Sequence, residues 1–189
     1  MRELFIVRHG ETEWSRIGRH TGRTDLPLTA KGEDQARALG PRLAGRNFAR
    51  VLASPLRRAW DTARLAGFGD VAERVPDAME WDYGAYEGRT RAEILAETPG
   101  WTIWTGGVPR GESIEDVALR ADRVLALAGA TDGDVLLFAH GHLLRVLALR
   151  WLGLDPRLGA RLALGPARVG VLSREGEVPV LGLWNAAGP

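Results

Sequence analysis

Short apolar runs alternate with amphipathic stretches along most of the chain. The runs Leu4–Val7, Val51–Ala53 and Val135–Ala139 contain no polar residue, which is typical of strands buried on both faces of a parallel sheet. Between them, apolar residues recur at helical spacing from Ala36 to Leu43 and from Ile114 to Ala128. This alternation predicts an α/β domain with a mainly parallel sheet covered on both faces.

Capping residues locate the helix ends. Thr29 is the predicted N-cap of the helix that contains Ala36, and Pro41 is expected to kink that helix or to end its first part. Ser54-Pro55 resembles an N-cap followed by proline at the first helical position. This second helix is predicted to stop at Gly67.

Two segments are predicted to be mostly irregular. Residues 13–25 are polar and contain two glycines, which indicates a loop, and residues 76–112 form a longer excursion with one short helix over 90–97. The other predicted elements are a strand over 71–75, a helix capped by Ser113 with Asp116, a helix over 143–152, and closing strands over 169–173 and 179–183 joined by the Glu175-Gly176 turn.

Composition narrows the class of protein. The chain has 189 residues, enough for one domain, and 45% apolar and 26% charged residues, as in globular proteins. It has no cysteine and a net charge of +1, so thiolate catalysis is excluded and no global charge favours nucleic acid or lipid. No apolar run is long enough for a membrane span, and residues 1–20 do not resemble a secretory signal. We expect a cytoplasmic protein without nucleic-acid or membrane partners.

Cationic and imidazole side chains follow three of the predicted strands. Arg8 and His9 follow the first strand, residues 54–57 the second, and residues 140–142 the last long apolar one. Ligands of open α/β sheets bind at this carboxyl edge. Arginine in the first turn of a helix, as predicted for Arg57, is unfavourable unless an anion binds beside it. Two imidazoles and two guanidiniums at one edge fit a phosphoryl group.

This set of residues predicts covalent phosphoryl transfer. A neutral imidazole can attack phosphorus and form a phosphohistidine, while Arg8, Arg57 and the second histidine stabilise the charge on the phosphoryl group. Glu80 is the candidate acid, because its aromatic neighbours would favour the protonated form. The pair His140 and His142 also suggests a metal site, but no carboxylate cluster accompanies it.

Four motifs occur in a fixed order between residues 4 and 145, and together they resemble the histidine phosphatase (phosphoglycerate-mutase-like) superfamily. They are Arg8-His9-Gly10-Glu11-Thr12-Glu13-Trp14 with Gly22, Asp25-Leu26-Pro27-Leu28-Thr29 and Gly32; Ser54-Pro55-Leu56-Arg57-Arg58-Ala59 with Thr62-Ala63; Glu80 with Gly84 and Glu87-Gly88; and His140-Gly141.

The resemblance implies a three-layer α/β/α sandwich that forms a single domain over 1–189, with 76–112 as a cap over the site. It also implies that His9 is the phosphorylated nucleophile, that Arg8, Arg57 and His140 form the phosphate pocket, that Glu80 is the proton donor, and that neither metal nor cofactor is required.

Residues 80–88, 101–104 and 138–142 are similar to a subgroup of acid phosphatases and sugar bisphosphatases, to which sedoheptulose-1,7-bisphosphatase belongs. The resemblance thus implies a phosphomonoesterase for a small phosphorylated metabolite, a sugar phosphate or bisphosphate. Most of the family has, at the position of Ser15, an asparagine that reaches the phosphate. That contact is therefore lost here or made through water. The candidate substrate-binding residues are Ser15, Thr21, Gly22, Gly141, Tyr83 and Trp104.

Alternative interpretations remain open. The chain between Glu80 and His140 is shorter than in cofactor-dependent phosphoglycerate mutases, but mutase-type transfer is the second hypothesis, and a catalytically weak phosphoryl-binding module is the third. A homodimer is the candidate oligomer. The remaining interpretations place His20 at the mouth of the site, His142 as a helix cap, Arg58 as a solvated neighbour of Arg57, and Arg89, Arg91 and Arg110 in exposed ion pairs.

Overall fold

One six-stranded sheet forms the framework of the molecule, which is described by a computed structural model over residues 1–188. Its strands are β1 (Leu4–Arg8), β2 (Phe48–Ala53), β3 (Ala72–Arg74), β4 (Asp134–Ala139), β5 (Val169–Glu175) and β6 (Val178–Ala186). They lie in the order β3-β2-β4-β1-β5-β6. The first four of these are parallel to one another, whereas β5 is antiparallel to β1 and β6 is antiparallel to β5.

Helices cover both faces of the sheet, as the alternating pattern predicts. Because successive side chains of a strand point to opposite faces, Phe5 and Val7 belong to a core with Leu39 of the helix over 30–43, while Leu4 and Ile6 belong to a second core with the helices that flank β4. The helices are α1 (Glu13–Arg16), α2 (Ala30–Leu43), α3 (Arg57–Ala63), α4 (Arg91–Glu97), α5 (Ile114–Gly129) and α6 (Gly141–Trp151), with single helical turns at Arg64–Phe68, Pro76–Ala78, Gly84–Tyr86 and Pro156–Arg161.

Apart from shifts of one to three residues at several strand and helix ends, three elements differ from the predictions. The segment 13–25 is not all loop, because α1 is capped by Thr12. Helix α2 continues two residues beyond Pro41, close to its end, where few hydrogen bonds remain to be lost. Helix α3 begins at Arg57 rather than at Pro55, and the Ser54 hydroxyl, predicted as its N-cap, is hydrogen-bonded to the His140 ring instead. The predicted helix over 90–97 and the Ser113 capping box are confirmed.

The strand order places three strand ends side by side. Strand β4 lies between β1 and β2 and is parallel to both, with Ala139 opposite Arg8 and Phe138 opposite Ala53. The residues that follow these strands therefore meet at one edge of the sheet. Among residues 1–188, no helix combines the length and the apolar content needed to cross a bilayer.

Candidate active site

The residues directly after β1, β2 and β4 form the centre of the site. The backbone N–H of His9 donates to the Ala139 carbonyl at 3.0 Å, and that of Ser54 donates to Phe138 at 2.9 Å. The ring centroids of His9 and His140 are 5.2 Å apart. The sheet thus brings the two histidines together, as the sequence predicts.

His9 is held as a neutral imidazole with a defined tautomer. It is 4% exposed, and its Nδ1 lies 2.7 Å from the Gly10 carbonyl, which can only accept, so Nδ1 carries the proton. Burial, followed by the charges of Arg58 and Arg8, lowers the pKa of His9 well below its usual value of 6.5. Its Nε2 therefore has a free lone pair near neutral pH.

His140 is fully buried between His9 and Ser54. Its Nε2 lies 2.7 Å from Ser54 Oγ, which already accepts a 3.3 Å hydrogen bond from the Leu56 backbone N–H. If the hydroxyl donates to Nε2, Nδ1 is left as the donor nitrogen. Burial, followed by the charge of Arg58, lowers the pKa of His140 well below its usual value of 6.5. Ser54, predicted only as a helix cap, instead orients this ring.

The interpretation of Arg58 as a solvated neighbour of Arg57 is wrong, and Arg57, predicted for the phosphate pocket, has an exposed side chain. The side chain of Arg57 is 61% exposed and pairs with Asp61 at 3.2 Å. Arg58 is fully buried. Both lie in the first turn of α3, but adjacent helix positions are about 100° apart, and Arg58 shares the buried face with Thr62. The sequence feature that could have indicated the exposed position of Arg57 is its (i, i+4) spacing to Asp61, which is typical of a surface ion pair.

Backbone carbonyls hold the Arg58 guanidinium. Its Nη1 donates to Thr24 at 3.0 Å, and its Nη2 donates to Thr21 at 3.0 Å and to Gly22 at 2.9 Å. Thr21 and Gly22 were candidates for direct substrate contact, and the structure places their carbonyls on Arg58 instead. Both oxygens of the Glu87 carboxylate accept from the Gly22 N–H, at 2.9 and 3.0 Å, and this contact fixes the loop.

Three buried side-chain nitrogens of this site have no hydrogen-bond partner. They are Arg8 Nε, Arg58 Nε and His140 Nδ1, and over residues 1–188 no other fully buried side-chain nitrogen or oxygen lacks a partner. Arg8 Nη1 donates to the Leu164 carbonyl at 2.6 Å. Because buried polar groups are almost always paired, three unpaired nitrogens around His9 indicate that the site is built to bind an oxyanion.

Glu80 lies beside this group, at the start of α6. Its Oε1 accepts from the N–H groups of Trp81 at 3.0 Å and Leu143 at 2.9 Å, whereas its Oε2 accepts only from His142 at 3.0 Å. The carboxyl group is thus surrounded by backbone donors rather than by the aromatic faces expected from the sequence. Since Oε1 accepts two hydrogen bonds and Oε2 accepts one, Oε2 has the greater capacity for a further hydrogen bond.

Buried Arg120 of α5 holds the segment that carries Glu80. Its Nη1 donates to the carbonyls of Asp77 at 2.8 Å and Met79 at 2.7 Å, and its Nη2 donates to the Glu80 carbonyl at 3.3 Å. The same guanidinium binds the Glu112 carboxylate in bidentate fashion at 2.6 and 2.7 Å. The position of Glu80 is therefore fixed from α5 as well as from α6.

The other substrate-binding candidates have different surroundings. The Ser15 hydroxyl accepts from the Thr12 N–H at 2.9 Å and donates to the Thr12 carbonyl at 3.0 Å, so it is used to cap α1. A Cβ on Gly141 would lie 3.3 Å from the Arg8 guanidinium, which explains the glycine there. Tyr83 and Trp104 are buried, and both are close to the His142 ring.

His142 is not the cap of α6, because His140 occupies the N-cap position. The ring of His142 bonds to the Tyr83 hydroxyl at 2.5 Å and stacks on His20 with ring centroids 6.3 Å apart. The rings of His140 and His142 therefore have separate partners. In the part of the chain that the structure describes, no three His, Cys, Asp or Glu side chains are grouped as a metal site.

A model of the histidine phosphatase superfamily, branch 1, matches residues 4–187, and the chain belongs to this family of phosphatases. It is 43% identical to an acid phosphatase of Mycobacterium tuberculosis, over 98% of this chain and 93% of that protein. It is 37% identical to sedoheptulose 1,7-bisphosphatase of Saccharomyces cerevisiae, over 79% of this chain and 67% of that protein.

Solved structures of related proteins have the same fold. An open reading frame of Mycobacterium tuberculosis superposes with a TM-score of 0.93 and 41% identity, covering 98% of this chain and 97% of that one. A mycobacterial glucosyl-3-phosphoglycerate phosphatase, solved with VO3, superposes with a TM-score of 0.88 and 32% identity, covering 98% of this chain and 100% of that one. The resemblance predicted from the four motifs is thus confirmed.

Proposed function

We propose that the protein is a metal-independent phosphomonoesterase that acts on a small phosphorylated metabolite, a sugar phosphate or bisphosphate, through a phosphohistidine at His9. The observation that carries this proposal is the set of three unpaired buried nitrogens around a neutral imidazole. Relatives named acid phosphatase and sedoheptulose 1,7-bisphosphatase agree with the substrate class.

In the first step, His9 Nε2 attacks phosphorus and the ester P–O bond breaks. Arg8, Arg58 and His140 donate to the non-bridging oxygens, and Glu80 gives its proton to the leaving alkoxide oxygen. In the second step, water attacks the phosphohistidine, Glu80 takes the proton from that water, and the P–N bond breaks. Inorganic phosphate leaves, and His9 and Glu80 return to their starting states. The segment 76–112, which carries Glu80, acts as the cap of the single domain.

A trapping experiment tests the covalent step. Rapid mixing with ³²P-labelled substrate, followed by denaturation, is expected to leave acid-labile, base-stable phosphate on His9, and none on the variant His9→Ala. Arg57→Ala is the matched control, because its side chain is exposed and lies outside the pocket. Turnover by a wild-type protein that never carries label would refute the phosphohistidine.

Two alternatives are separated by their products. A phosphoglycerate mutase would interconvert 2- and 3-phosphoglycerate in a coupled assay with bisphosphate primer, whereas a phosphomonoesterase releases inorganic phosphate. A weak phosphoryl-binding module would show no turnover of p-nitrophenyl phosphate that depends on His9. The relatives named probable phosphoglycerate mutase, at 34% identity, make the first comparison necessary.

A further inference from the structure

A cavity of about 330 Å³ opens beside the candidate active site. Its volume is at the lower end of the range for small-molecule sites, which suits a compact metabolite better than a polymer. Trp101, Ile103 and Trp104 provide its apolar wall. Its full lining is His20, Arg91, Trp101, Thr102, Ile103, Trp104, His142, Arg145 and Ala160.

One residue of this cavity also contacts Glu80. The backbone N–H of His142 donates to Glu80 Oε2 at 3.0 Å, and the same residue lines the cavity. In the proposed function Glu80 protonates the leaving oxygen, so the remainder of the substrate extends from the phosphate past Glu80. The cavity next to Glu80 is therefore in position to receive it.

The charged side chains that line the cavity are both arginines. Arg145 donates through Nε to the Gly159 carbonyl at 2.8 Å and lies 4.5 Å above the Trp104 ring. Burial lowers the pKa of Arg145 to about 10, so it remains a cation at neutral pH. Arg91 is exposed, and within residues 1–188 its side chain forms neither a hydrogen bond nor an ion pair. No carboxylate lines the cavity to neutralise the two charges.

Two imidazoles add further hydrogen-bonding groups. Burial raises the pKa of Tyr83 well above 10, so its phenol keeps the proton and can donate it to His142 Nδ1, 2.5 Å away. His142 is then left with Nε2–H as a donor. The Nδ1 of His20 lies 2.8 Å from the Arg89 carbonyl, to which it donates, so its Nε2 is available to a ligand. Such groups suit the hydroxyls of a polyol.

Building on the proposed function, we propose that this cavity holds the leaving group and that Arg91 and Arg145 bind a second anionic group on it. The substrate class is a short hydroxylated carbon chain that carries the scissile phosphate at one end and a phosphate or carboxylate at the other. Guanidinium groups bind either oxyanion as bidentate partners.

Substrates that differ only in the distal group test the site. Fructose 1,6-bisphosphate is compared with fructose 1-phosphate and fructose 6-phosphate, and 3-phosphoglycerate with glycerol 3-phosphate, while p-nitrophenyl phosphate has no distal anion. The wild type is expected to have the higher kcat/KM for the substrate with two anionic groups in at least one of these comparisons, and the comparison concerned distinguishes a distal phosphate from a distal carboxylate. Arg91→Gln and Arg145→Gln are expected to reduce that kcat/KM by about 10- to 100-fold, and the value for p-nitrophenyl phosphate several-fold less than that.

Arg150→Gln is the matched control, since Arg150 lies on the same helix but pairs with Asp122 away from the cavity. Because Arg145 packs on Trp104, the exposed Arg91→Gln provides a variant whose folding is not in question. Equal kcat/KM for both members of every pair, or equal losses on p-nitrophenyl phosphate, would overturn the anion site. Failure of the proposed function is a different result, in which the wild type releases no phosphate from any ester.

Discussion

Substitution of the adjacent residues Arg57 and Arg58 is the sharpest test of the assigned site. The motif alone does not distinguish them, and the structure gives them opposite environments. We predict that Arg58→Ala nearly abolishes phosphatase activity, while Arg57→Ala leaves kcat/KM within about twofold of the wild type.

The size of the Arg58 effect follows from its contacts. Its unpaired Nε is a candidate donor to the transferring phosphoryl group, and loss of one such preorganised donor costs about 10²- to 10³-fold in kcat. Removing the guanidinium also leaves three backbone carbonyls without their donor, at about 1–3 kcal/mol for each buried unpaired group. Arg57, by contrast, forms an exposed (i, i+4) pair with Asp61 worth about 0.3–0.5 kcal/mol.

Activity and stability must therefore be measured on the same preparations. Initial rates on p-nitrophenyl phosphate give kcat and KM, and thermal unfolding followed by circular dichroism gives the folded fraction at the assay temperature. Arg58→Lys separates charge from geometry, because one ammonium keeps the charge but cannot serve the three carbonyls and the phosphate together. We expect this variant to lie between Arg58→Ala and the wild type in kcat.

Two results would refute the assignment. One is a folded Arg58→Ala protein that retains wild-type kcat/KM, because no donor essential to the reaction would then have been lost. The other is an Arg57→Ala protein that loses activity to the same extent as Arg58→Ala, because an exposed side chain paired with Asp61 has no place in the proposed pocket.

Three further predictions concern the acid, the nucleophile and the residue that positions the acid. Glu80→Gln is expected to slow alkyl phosphates at least about 10²-fold more than p-nitrophenyl phosphate, whose leaving group needs no proton; equal losses would mean that another group is the acid. Because the pKa of His9 is lowered, wild-type kcat/KM should stay level as pH falls through 6.5 and decline only at lower pH. Arg8→Gln removes a nearby positive charge and should therefore move that decline to higher pH; a pH–rate profile with an unshifted acid limb would contradict this. Arg120→Gln should reduce kcat on alkyl phosphates more than on aryl phosphates, whereas the exposed control Arg123→Gln should change either by less than about twofold; parallel losses on both esters would indicate a purely structural role.

The framework of the site was predictable because it depends on local patterns. Three uninterrupted apolar runs that end in His9, Ser54 and His140 are sufficient to predict parallel strands with a common edge. Caps such as Thr90 and Ser113 are set by residues three positions apart, and both helix starts were found where predicted.

Which of the two arginines is buried was not predictable from composition, because both are cations in the same helical turn. The position of each arginine relative to the buried face of α3 determines which of them is buried. That face includes the polar Thr62, so it cannot be recognised as a continuous apolar stripe in the sequence. The Thr62 hydroxyl accepts from the Gly10 N–H at 3.0 Å and donates to the Arg58 carbonyl at 2.6 Å. Its burial therefore reflects a contact with a residue 52 positions away, which periodicity does not reveal.

The surroundings of Glu80 were missed for a similar reason. Its neighbours in sequence are aromatic, but the donors on its carboxyl oxygens include the N–H groups of His142 and Leu143, which lie 62 and 63 positions further along the chain. Only the packing of the 76–112 segment against the start of α6 brings them together. The cavity lined by Arg91 and Arg145 likewise lies between residues of α4 and α6, which are far apart in the sequence. Neither arginine alone therefore predicted the cavity.

In the proposed mechanism, the way in which Arg8 and Arg58 are held links substrate binding to nucleophile activation. Many arginines of the chain, such as Arg57, pair with a carboxylate. Over residues 1–188, Arg8 and Arg58 form no ion pair, and both donate to backbone carbonyls instead. Neutral dipoles fix a guanidinium without cancelling its charge, so the full charge acts on whatever occupies the pocket. The same uncancelled charges lower the pKa of His9 and keep its Nε2 unprotonated. A carboxylate partner for either arginine would weaken both effects together, which is why these buried cations are stabilised by carbonyls.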